Sequence, residues 1–305
     1  MENLQEVNWG DRQIRLTKTV SVLLGDERGA YPSGNSVLVE GQGEVAIIDP
    51  SITVVSKGGA PVGVDAVINS HGHEDHMPGN SLFTGASVHI HNEDLRAAQS
   101  LDGLMEVYGL EGRARADFGA QVMEEFSYQA RPDANGFEDG HVFDLGGGVM
   151  VQALHLPGHT RGHSGLVTEG VFFLSDIDLT GFGPYYGDAW SDLDQFDESL
   201  RKAREVEADW YVTFHHKGII EGRELFLEMI DAFHAVIETR HRAMLEYLAE
   251  PRTLDEMMIH RFVYRPHVEH VFANSVERRT AELHVQRMLN RGEAAEVESG
   301  RYQRC

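Results

Sequence analysis

A run of six residues, 71–76, constrains this chain most, because it contains three histidines and an aspartate, side chains that commonly bind metal ions. The run reads His-Gly-His-Glu-Asp-His and directly follows the apolar segment 64–70, which is typical of a buried strand. Residues two apart in an extended segment point to the same side, so His71 and His73 can bind one ion together. The sequence therefore predicts a metal site where this strand ends.

The second half of the run predicts a second ion. We expect the chain to turn toward a helix that begins near Met77, which would direct Asp75 and His76 to the other side. Imidazole combined with carboxylate suits zinc, iron or manganese. A solvated, His-rich loop is the alternative, but the HxHxDH spacing after an apolar strand argues against it.

Three further apolar segments also end in candidate ligands. They are residues 149–155 before His159, residues 171–175 before Asp176, and residues 210–214 before His215 and His216. Strands that each end in such a residue would place all of these side chains along one edge of a sheet, where open α/β sheets usually carry their sites.

With these four motifs in this order, the chain resembles the metallo-β-lactamase-fold hydrolases, in the broad branch that includes glyoxalase II and related thioesterases. The resemblance covers about residues 13–250. It implies an α/β fold, a four-layer αβ/βα sandwich, followed by a small, mostly helical domain similar to the winged-helix tail of some members. We expect a catalytic domain over residues 1–250 and a C-terminal domain over 251–305, with Pro251 at the boundary.

The resemblance also implies how the ligands are shared between two ions. It assigns the first ion to His71, His73 and His159, the second to Asp75, His76 and His215, and a bridging position to Asp176. His216 remains a competitor of His215, because this chain reads Thr-Phe-His-His-Lys-Gly where the family more often has Pro-Gly-His-Gly.

Two divalent ions would lower the pKa of a bridging water to about 7 and so supply hydroxide as the nucleophile. A side-chain nucleophile is not expected, since the only cysteine is Cys305 and no Gly-x-Ser-x-Gly motif occurs. Asp75 and Asp176 are the candidates for accepting a proton, in addition to their roles as ligands. Asp49 and His163 are candidates for orienting the ligands, with a plain turn as an equal alternative for Asp49.

Two segments are candidates for contacting the substrate. The first is a glycine-rich loop after Asp176 that carries Phe182, Tyr185, Tyr186 and Trp190. The second lies within residues 262–270 and carries Tyr264, Arg265 and His267, for which hydrogen bonding between domains is the plainer alternative. Residues 92–135 form a long insertion that could cover the cleft as a lid or simply build a small core of their own.

Composition excludes several classes of protein. The 49 acidic against 26 basic side chains give a formal net charge of −23, which disfavours nucleic acid as a partner. No apolar stretch is long enough to span a membrane, and the first residues lack the features of a signal peptide, so we expect a cytoplasmic location and no membrane partner. A homo-oligomer stays open.

The sequence favours a dinuclear hydrolase acting on a small carbonyl ester, most plausibly a thioester or lactone. The expected cofactors are two divalent metal ions, zinc first, with iron or manganese open. A β-lactamase is disfavoured by Asp176 at the bridging position and the lack of a usable cysteine ligand. A nuclease or phosphodiesterase is disfavoured by charge and by the lack of a large inserted domain. Glyoxalase II itself is weakly supported, because its basic glutathione-binding side chains cannot be located.

Two alternatives remain. A persulfide dioxygenase-like enzyme would use many of the same ligands around a single iron. A binding or regulatory protein could retain the fold without turnover, although a candidate residue fills every ligand position.

Overall fold

The computed structural model describes residues 7–268 and 272–305. Residues 1–6, on which the signal-peptide argument rests, and Glu269 and His270 of the second substrate segment lie outside the described residues. Within the described chain, two sheets face each other and helices cover their outer faces.

The first sheet has seven strands in chain order. Strands β1 to β4 pair antiparallel, and β4 to β7 pair parallel. The strands are β1 (Gln13–Arg15), β2 (Val20–Leu23), β3 (Ser36–Glu40), β4 (Val45–Ile48), β5 (Ala66–Ile68), β6 (Ser87–His91) and β7 (Asn135–Phe137).

The second sheet has six strands in the order β13-β12-β11-β10-β9-β8. All neighbours pair antiparallel except β11 and β12, which are parallel. The strands are β8 (Val142–Asp144), β9 (Met150–His155), β10 (Ser164–Thr168), β11 (Val171–Ser175), β12 (Trp210–Thr213) and β13 (Ile219–Glu221).

Residues that alternate along each strand divide the core into layers. In β3, Val37 and Val39 point into the cluster between the two sheets, whereas Leu38 points outward into the cluster under the helices. Both faces of the strand are therefore buried, which explains its uninterrupted apolar sequence.

Helices α1 to α4 cover the first sheet, and α5 and α6 cover the second. They are α1 (Ile52–Lys57), α2 (Leu95–Gln99), α3 (Leu101–Tyr108), α4 (Gly112–Glu125), α5 (Leu193–Arg204) and α6 (Arg223–Tyr247). The order helix, sheet, sheet, helix confirms the predicted four-layer α/β sandwich. No helix among the described residues combines the length and apolar character needed to cross a membrane.

The C-terminal region is mainly helical, as predicted. It comprises α7 (Leu254–His260), α8 (Ala273–Arg291) and a hairpin of β14 (Ala294–Glu298) and β15 (Arg301–Arg304). Its core includes Met244 and Leu248 of the α6 end together with Met257 and Met288, so α6 contributes to two cores. The winged-helix assignment and the boundary at residue 250 stay predictions.

The helix expected near Met77 is wrong: the chain forms two short 3-10 helices there, Glu74–His76 and Pro78–Ser81. The backbone N–H of Gly79 donates to the carbonyl of Pro50 at 2.8 Å, and a Cβ on Gly79 would lie only 2.5 Å from Pro50. This close approach holds the chain against the end of β4 and requires a residue without a Cβ at position 79.

Candidate metal centre

The predicted ligands come together where both sheets end at one edge of the sandwich. They lie just beyond β5, in the turn between β9 and β10, and immediately after β11 and β12. Three residues beside them have left-handed backbone conformations: Asp49 at φ 47°, Ser175 at φ 53° and His216 at φ 58°. Such conformations cost non-glycine residues roughly 1 kcal/mol or more, and they tend to cluster at functional sites.

One group of ligand atoms belongs to His71, His73, His159 and Asp176, and its atoms all lie within 4.8 Å of one another. Nδ1 of His73 is 3.0 Å from Nε2 of His71 and 3.1 Å from Nε2 of His159. Oδ2 of Asp176 lies 3.1 Å from Nε2 of His159. All four residues are at least largely buried, and we call them the first ligand group.

A second ligand group contains Asp75, His76 and His215, whose ligand atoms also lie within 4.8 Å of one another. Nε2 of His215 is 2.9 Å from Oδ2 of Asp75. Oδ1 of Asp176 is 3.0 Å from Nε2 of His76 and 4.0 Å from Nε2 of His215. The two carboxylate oxygens of Asp176 therefore face different ligand groups.

Unpartnered buried atoms test whether these residues fit metal ions. Nε2 of His73 and Oδ2 of Asp188 are buried and 3.1 Å apart without a hydrogen bond, but they lie on the side of the His73 ring that faces away from the other ligands. Between the ligand groups, Nε2 of His76 and Oδ1 of Asp176 are likewise buried without a hydrogen-bond partner and face each other at 3.0 Å. Leaving a buried polar atom unpaired costs about 1–3 kcal/mol. A divalent cation held between imidazole and carboxylate would satisfy both atoms, and this donor set is one that zinc, iron and manganese accept.

In the first group, each imidazole uses its other nitrogen to contact the protein. Nδ1 of His71 lies 3.1 Å from Oγ of Ser70. Nδ1 of His159 donates to the carbonyl oxygen of Tyr185 at 2.9 Å, and Nε2 of His73 lies 3.1 Å from Oδ2 of Asp188. Such contacts fix the ring orientation and the tautomer of a histidine ligand.

The second group is oriented in the same way, but from different parts of the fold. Nδ1 of His76 lies 2.8 Å from Oδ2 of Asp49, whose Oδ1 accepts the backbone N–H of Ser70 at 2.7 Å. Nδ1 of His215 donates to the carbonyl of Gly29 at 2.8 Å. The structure thus places Asp49 where it would orient His76.

His163 lies beside the bridging residue. Its Nδ1 donates to the carbonyl of Leu156 at 2.9 Å, so its Nε2 can accept the backbone N–H of Asp176 at 3.3 Å. Burial and the neighbouring His159 lower the pKa of His163 to about 3, which keeps the imidazole neutral and able to accept. This position supports the orienting role predicted for it.

The charges differ between the two groups. Burial lowers the pKa of His71 well below its usual range, and the neighbouring imidazoles of His76 and His73 lower it further. Burial alone would also lower the pKa of His215, but the charges of Asp176 and Asp75 raise it to about 10. The pKa of His76 is likewise raised well above its usual value, against burial, by Asp176 and Asp49. In the first group, Asp188 raises the pKa of His73 to about 8 against burial, so without metal both groups hold a proton at neutral pH and the second group holds it to higher pH.

His215, and not His216, lies in the second group. The ring of His216 is 6.0 Å from that of His215, and neither ligand group includes it. Its left-handed backbone turns the chain directly after His215. This geometry favours His215 over His216 as the metal ligand.

Sequence reasoning missed Asp94, which joins the two histidine-bearing loops. Its buried carboxylate accepts the backbone N–H of Gly72 at 2.9 Å and that of Gly162 at 2.7 Å, and the hydroxyl of Thr160 at 2.5 Å. In the sequence, Asp94 is one of several carboxylates in the 92–135 insertion, and nothing there marks it. Asp188 was also missed, and its one signal was a carboxylate within the glycine-rich loop.

Glu74 and two tyrosines border both ligand groups. The buried carboxylate of Glu74 accepts the hydroxyl of Tyr31 at 3.0 Å and also that of Tyr108. The ring of Tyr108 stacks on His73 at 5.2 Å, and the ring of Tyr31 lies edge-on to His215 at 6.3 Å. Tyr108 belongs to α3, so the 92–135 insertion does reach the metal centre while also forming part of the core with Phe118.

The four aromatic residues of the glycine-rich loop after Asp176 differ in position: some lie near the ligands or are exposed, and others lie in the core. The ring of Tyr185 lies 5.7 Å from that of His159, and Phe182 is 41% exposed. Tyr186 is 1% exposed and its hydroxyl contacts Nε2 of His284 at 3.0 Å, whereas Trp190 is 8% exposed and lies under Arg161.

The expectation that Tyr186 and Trp190 line the substrate cleft is therefore wrong. We expected a loop to offer little core for large rings to fill. Instead, α8 packs beneath the loop, as the contact of its His284 with Tyr186 shows, and the helices of the insertion bury Trp190.

The second candidate segment approaches the loop with one of its residues. The ring of Tyr264 lies 5.7 Å from that of Phe182, and burial together with the charge of Asp188 raises the pKa of Tyr264 to about 12. Arg265 and His267 are exposed. Contact of this segment with a substrate stays a prediction.

Comparisons with known proteins agree with this geometry. The family model described as Metallo-beta-lactamase superfamily matches residues 31–216. A metallo-beta-lactamase family protein from Thermus thermophilus is 22% identical, with a TM-score of 0.69 over 95% of this chain and 100% of that one. A beta-lactamase domain protein from Burkholderia ambifaria is 16% identical, with a TM-score of 0.68 over 96% and 93%.

A subclass B3 metallo-beta-lactamase of Bradyrhizobium japonicum is similar over a smaller part of this chain. It is 14% identical, with a TM-score of 0.53 over 77% of this chain and 96% of that one. None of the curated proteins matches this sequence. At these identities the solved structures show a shared fold, and the first two share it across the C-terminal region as well.

Proposed function

This chain belongs to the metallo-β-lactamase superfamily, and from that premise we propose that it is a dinuclear metal-dependent hydrolase of a small carbonyl ester, most plausibly a thioester or lactone. The proposed ligands are His71, His73 and His159 for one ion and Asp75, His76 and His215 for the other, with Asp176 between them. Zinc is the proposed metal, with iron and manganese as alternatives.

The observation that carries this proposal is the position of Asp176. Its Oδ2 lies 3.1 Å from His159 in the first group, and its Oδ1 lies 3.0 Å from His76 in the second. A carboxylate with one oxygen toward each ligand group suits two ions better than one. Two such ions would lower the pKa of a water bound at the site and would polarise the carbonyl oxygen of the substrate.

The chain's own residues would orient these ligands and handle protons. Asp49, Asp188, and the carbonyls of Gly29 and Tyr185 hold the outer nitrogens of the imidazoles, so the inner nitrogens keep their lone pairs directed at the centre. Asp75 or Asp176 would accept the proton released as the ester is cleaved. No side-chain nucleophile is required.

The surroundings of the site favour a substrate that is uncharged away from its reacting bond. Glu74 and Asp188 add two carboxylates, and among the described residues no Lys or Arg side chain forms an ion pair with either. Arg240 lies nearby, but its guanidinium donates to the carbonyls of Phe182 and Pro184. The rings of Tyr31 and Tyr108 lie beside His215 and His73 and suit an apolar acyl chain, and the exposed ring of Phe182 is proposed to extend this substrate wall.

A pair of matched substrates tests this proposal. Protein loaded with two equivalents of zinc should hydrolyse a neutral thioester or lactone faster than an ester of equal length that carries a remote carboxylate, and both faster than a phosphodiester. Preferred turnover of the phosphodiester would overturn the assignment. Finding one bound iron, with oxygen consumption on a persulfide, would move it to the dioxygenase alternative.

A further inference from the structure

The segment 182–188 contacts two ligands of the first group from outside. The carbonyl of Tyr185 accepts Nδ1–H of His159 at 2.9 Å, and Oδ2 of Asp188 lies 3.1 Å from Nε2 of His73. The hydroxyl of Tyr185 donates to Oδ1 of Asp188 at 3.2 Å, which couples the two supports. The orientation of both imidazoles therefore depends on where this segment lies.

Helices α6 and α8 hold the same segment from its other side. Arg240 of α6 is 5% exposed and donates to the carbonyl of Phe182 at 2.6 Å and to that of Pro184. Val276 of α8 packs so closely against Gly187 that a Cβ there would lie 2.4 Å from it. The segment is thus fixed between the metal centre and the C-terminal region.

A buried chain of four side chains completes this attachment. The hydroxyl of Tyr186 is 3.0 Å from Nε2 of His284, Nδ1 of His284 is 3.1 Å from Nδ1 of His241, and Nε2 of His241 is 2.8 Å from Oε2 of Glu293. Tyr186, His284 and His241 are at most 3% exposed. The chain joins the loop, α8, α6 and the residue just before the final hairpin.

The hydrogen bonds of this chain can run in only one direction while Glu293 is ionised and both histidines are neutral. The carboxylate of Glu293 can only accept, so Nε2 of His241 donates to it and Nδ1 of His241 accepts from Nδ1–H of His284. Nε2 of His284 is then an acceptor, and the Tyr186 hydroxyl donates to it. Every member is satisfied, as a buried polar network requires to be stabilising.

We propose that Arg240 and the chain Tyr186–His284–His241–Glu293 are positioning residues for the first ligand group. They hold segment 182–188 so that Tyr185 and Asp188 keep His159 and His73 aimed at the ion. No described hydrogen bond or ion pair joins this segment to a residue of the second group, whose outer contacts come from Asp49 and Gly29. Disrupting this chain of four hydrogen-bonded side chains should weaken metal binding at the first group alone. The inference rests on the proposed metal centre but not on the substrate.

Tyr186→Phe, introduced into two backgrounds, tests this selectivity. In His215→Ala protein the remaining ion is expected in the first group. In this background Tyr186→Phe should lower zinc affinity about tenfold, which is the lower end of the range of affinity losses found when an outer contact of a ligand is removed. In His159→Ala protein the remaining ion is expected in the second group, and there the affinity should stay within about twofold. Calorimetric titration of metal-free protein gives both values, and the visible spectrum of the cobalt-loaded protein should change only in the first background.

Tyr128→Phe is the matched control. It also removes one buried tyrosine hydroxyl, which donates to the carbonyl of Ala97 at 2.8 Å, but no described hydrogen bond or ring contact joins Tyr128 to segment 182–188. This control should leave zinc affinity unchanged in both backgrounds. Equal losses from Tyr186→Phe in both backgrounds, or no loss in either, would overturn the proposal.

Glu293→Gln gives a second, milder variant at the solvent end of the chain, where the side chain is 34% exposed. It should weaken zinc binding in the same background as Tyr186→Phe and by a smaller factor; an effect confined to the other background would overturn the proposal. Neither measurement uses a substrate. A protein that binds two ions but hydrolyses no ester would therefore refute the proposed function and leave this test intact.

Discussion

The two ligand groups lie side by side but are supported and charged differently. The first group consists of three imidazoles and one oxygen of Asp176. Ser70 contacts the outer nitrogen of His71, and the other two outer contacts come from loop 182–188 and, through it, from the C-terminal helices. The second group includes a carboxylate of its own, and its outer contacts come from the end of β4 and from Gly29.

This difference indicates that the two positions should load metal differently. The pKa of His71 is lowered, so this imidazole is neutral and can bind an ion directly. The pKa of His73 is raised to about 8 and that of His215 to about 10, and the pKa of His76 is also raised, so an ion at the second group must displace protons up to a higher pH than an ion at the first. We expect the first position to be less sensitive to pH and the second to be less sensitive to the C-terminal region.

Removing a ligand should give the largest effect. His159→Ala should lose the first ion and His215→Ala the second, and each should lower kcat/KM more than about a hundredfold, since even outer contacts are worth 10–100-fold. Metal analysis by mass spectrometry alongside kinetics checks both. Loss of both ions from either variant would contradict the assignment of separate ligands to the two positions.

His216→Ala is the control for the doubled histidine. Because His216 lies outside both ligand groups, this variant should retain two ions and most of its activity. Loss of one ion in His216→Ala, with His215→Ala unaffected, would transfer the ligand role to His216.

Removing the charge of an outer contact should have a smaller effect, specific to one group. Asp188→Asn should weaken the first position and Asp49→Asn chiefly the second, each by about 10–100-fold in metal affinity, because Asp49 contacts His76 directly and reaches His71 only through Ser70. The shapes of the side chains are kept, so the fold should persist, as circular dichroism would show. If both variants weaken the same position, the division of the outer contacts described above is wrong.

The pH dependence of zinc binding should separate the groups further. In metal-free protein the pKa of His215 is raised to about 10, so its proton stabilises the fold fully below about 6.5 and that contribution is lost as the pH rises through 10. Zinc must displace this proton, so affinity at the second group should rise about tenfold or more per pH unit up to pH 10.

At the first group the corresponding rise should end sooner. Burial would lower the pKa of His73, but Asp188 raises it to about 8, so zinc affinity there should level off near pH 8. Titrations of the His159→Ala and His215→Ala proteins between pH 7 and 9 give the two slopes. Equal slopes above pH 8 would contradict the electrostatic difference between the groups.

Substitution at the open face should have the smallest effect. Phe182 is 41% exposed and lies outside both ligand groups, so Phe182→Ala should retain two ions. It should lower kcat/KM roughly tenfold, which corresponds to about 1.4 kcal/mol of lost transition-state binding. Unchanged kinetics on the best substrate would remove Phe182 from the proposed substrate wall.

The four-layer fold and the convergence of the candidate ligands could be predicted because each depends on local pattern. Apolar strands that end in histidine or aspartate place those residues at one sheet edge, whatever the loops between them do. Asp176 follows β11 directly and His215 follows β12, so their neighbourhood follows from the parallel pairing of those two strands.

Apart from Asp49 and His163, the supports of the site could not be predicted, because they depend on contacts between residues far apart in sequence. His284 contacts Tyr186 across 98 positions, and Asp94 joins Gly72 to Gly162 across 22 and 68. Tyr186 was misplaced for the same reason: nothing near it in the sequence shows that α8 covers the loop. Periodicity describes which face of an element is buried, but not which distant element covers it.

A crystal structure of zinc-loaded protein, with anomalous scattering measured at the zinc edge, would show whether Asp176 lies between two ions. We expect two anomalous peaks per chain, one beside Oδ2 of Asp176 among His71, His73 and His159, and one beside Oδ1 among Asp75, His76 and His215. A single peak in the first group, with the second group empty at saturating zinc and pH 8, would contradict the dinuclear assignment.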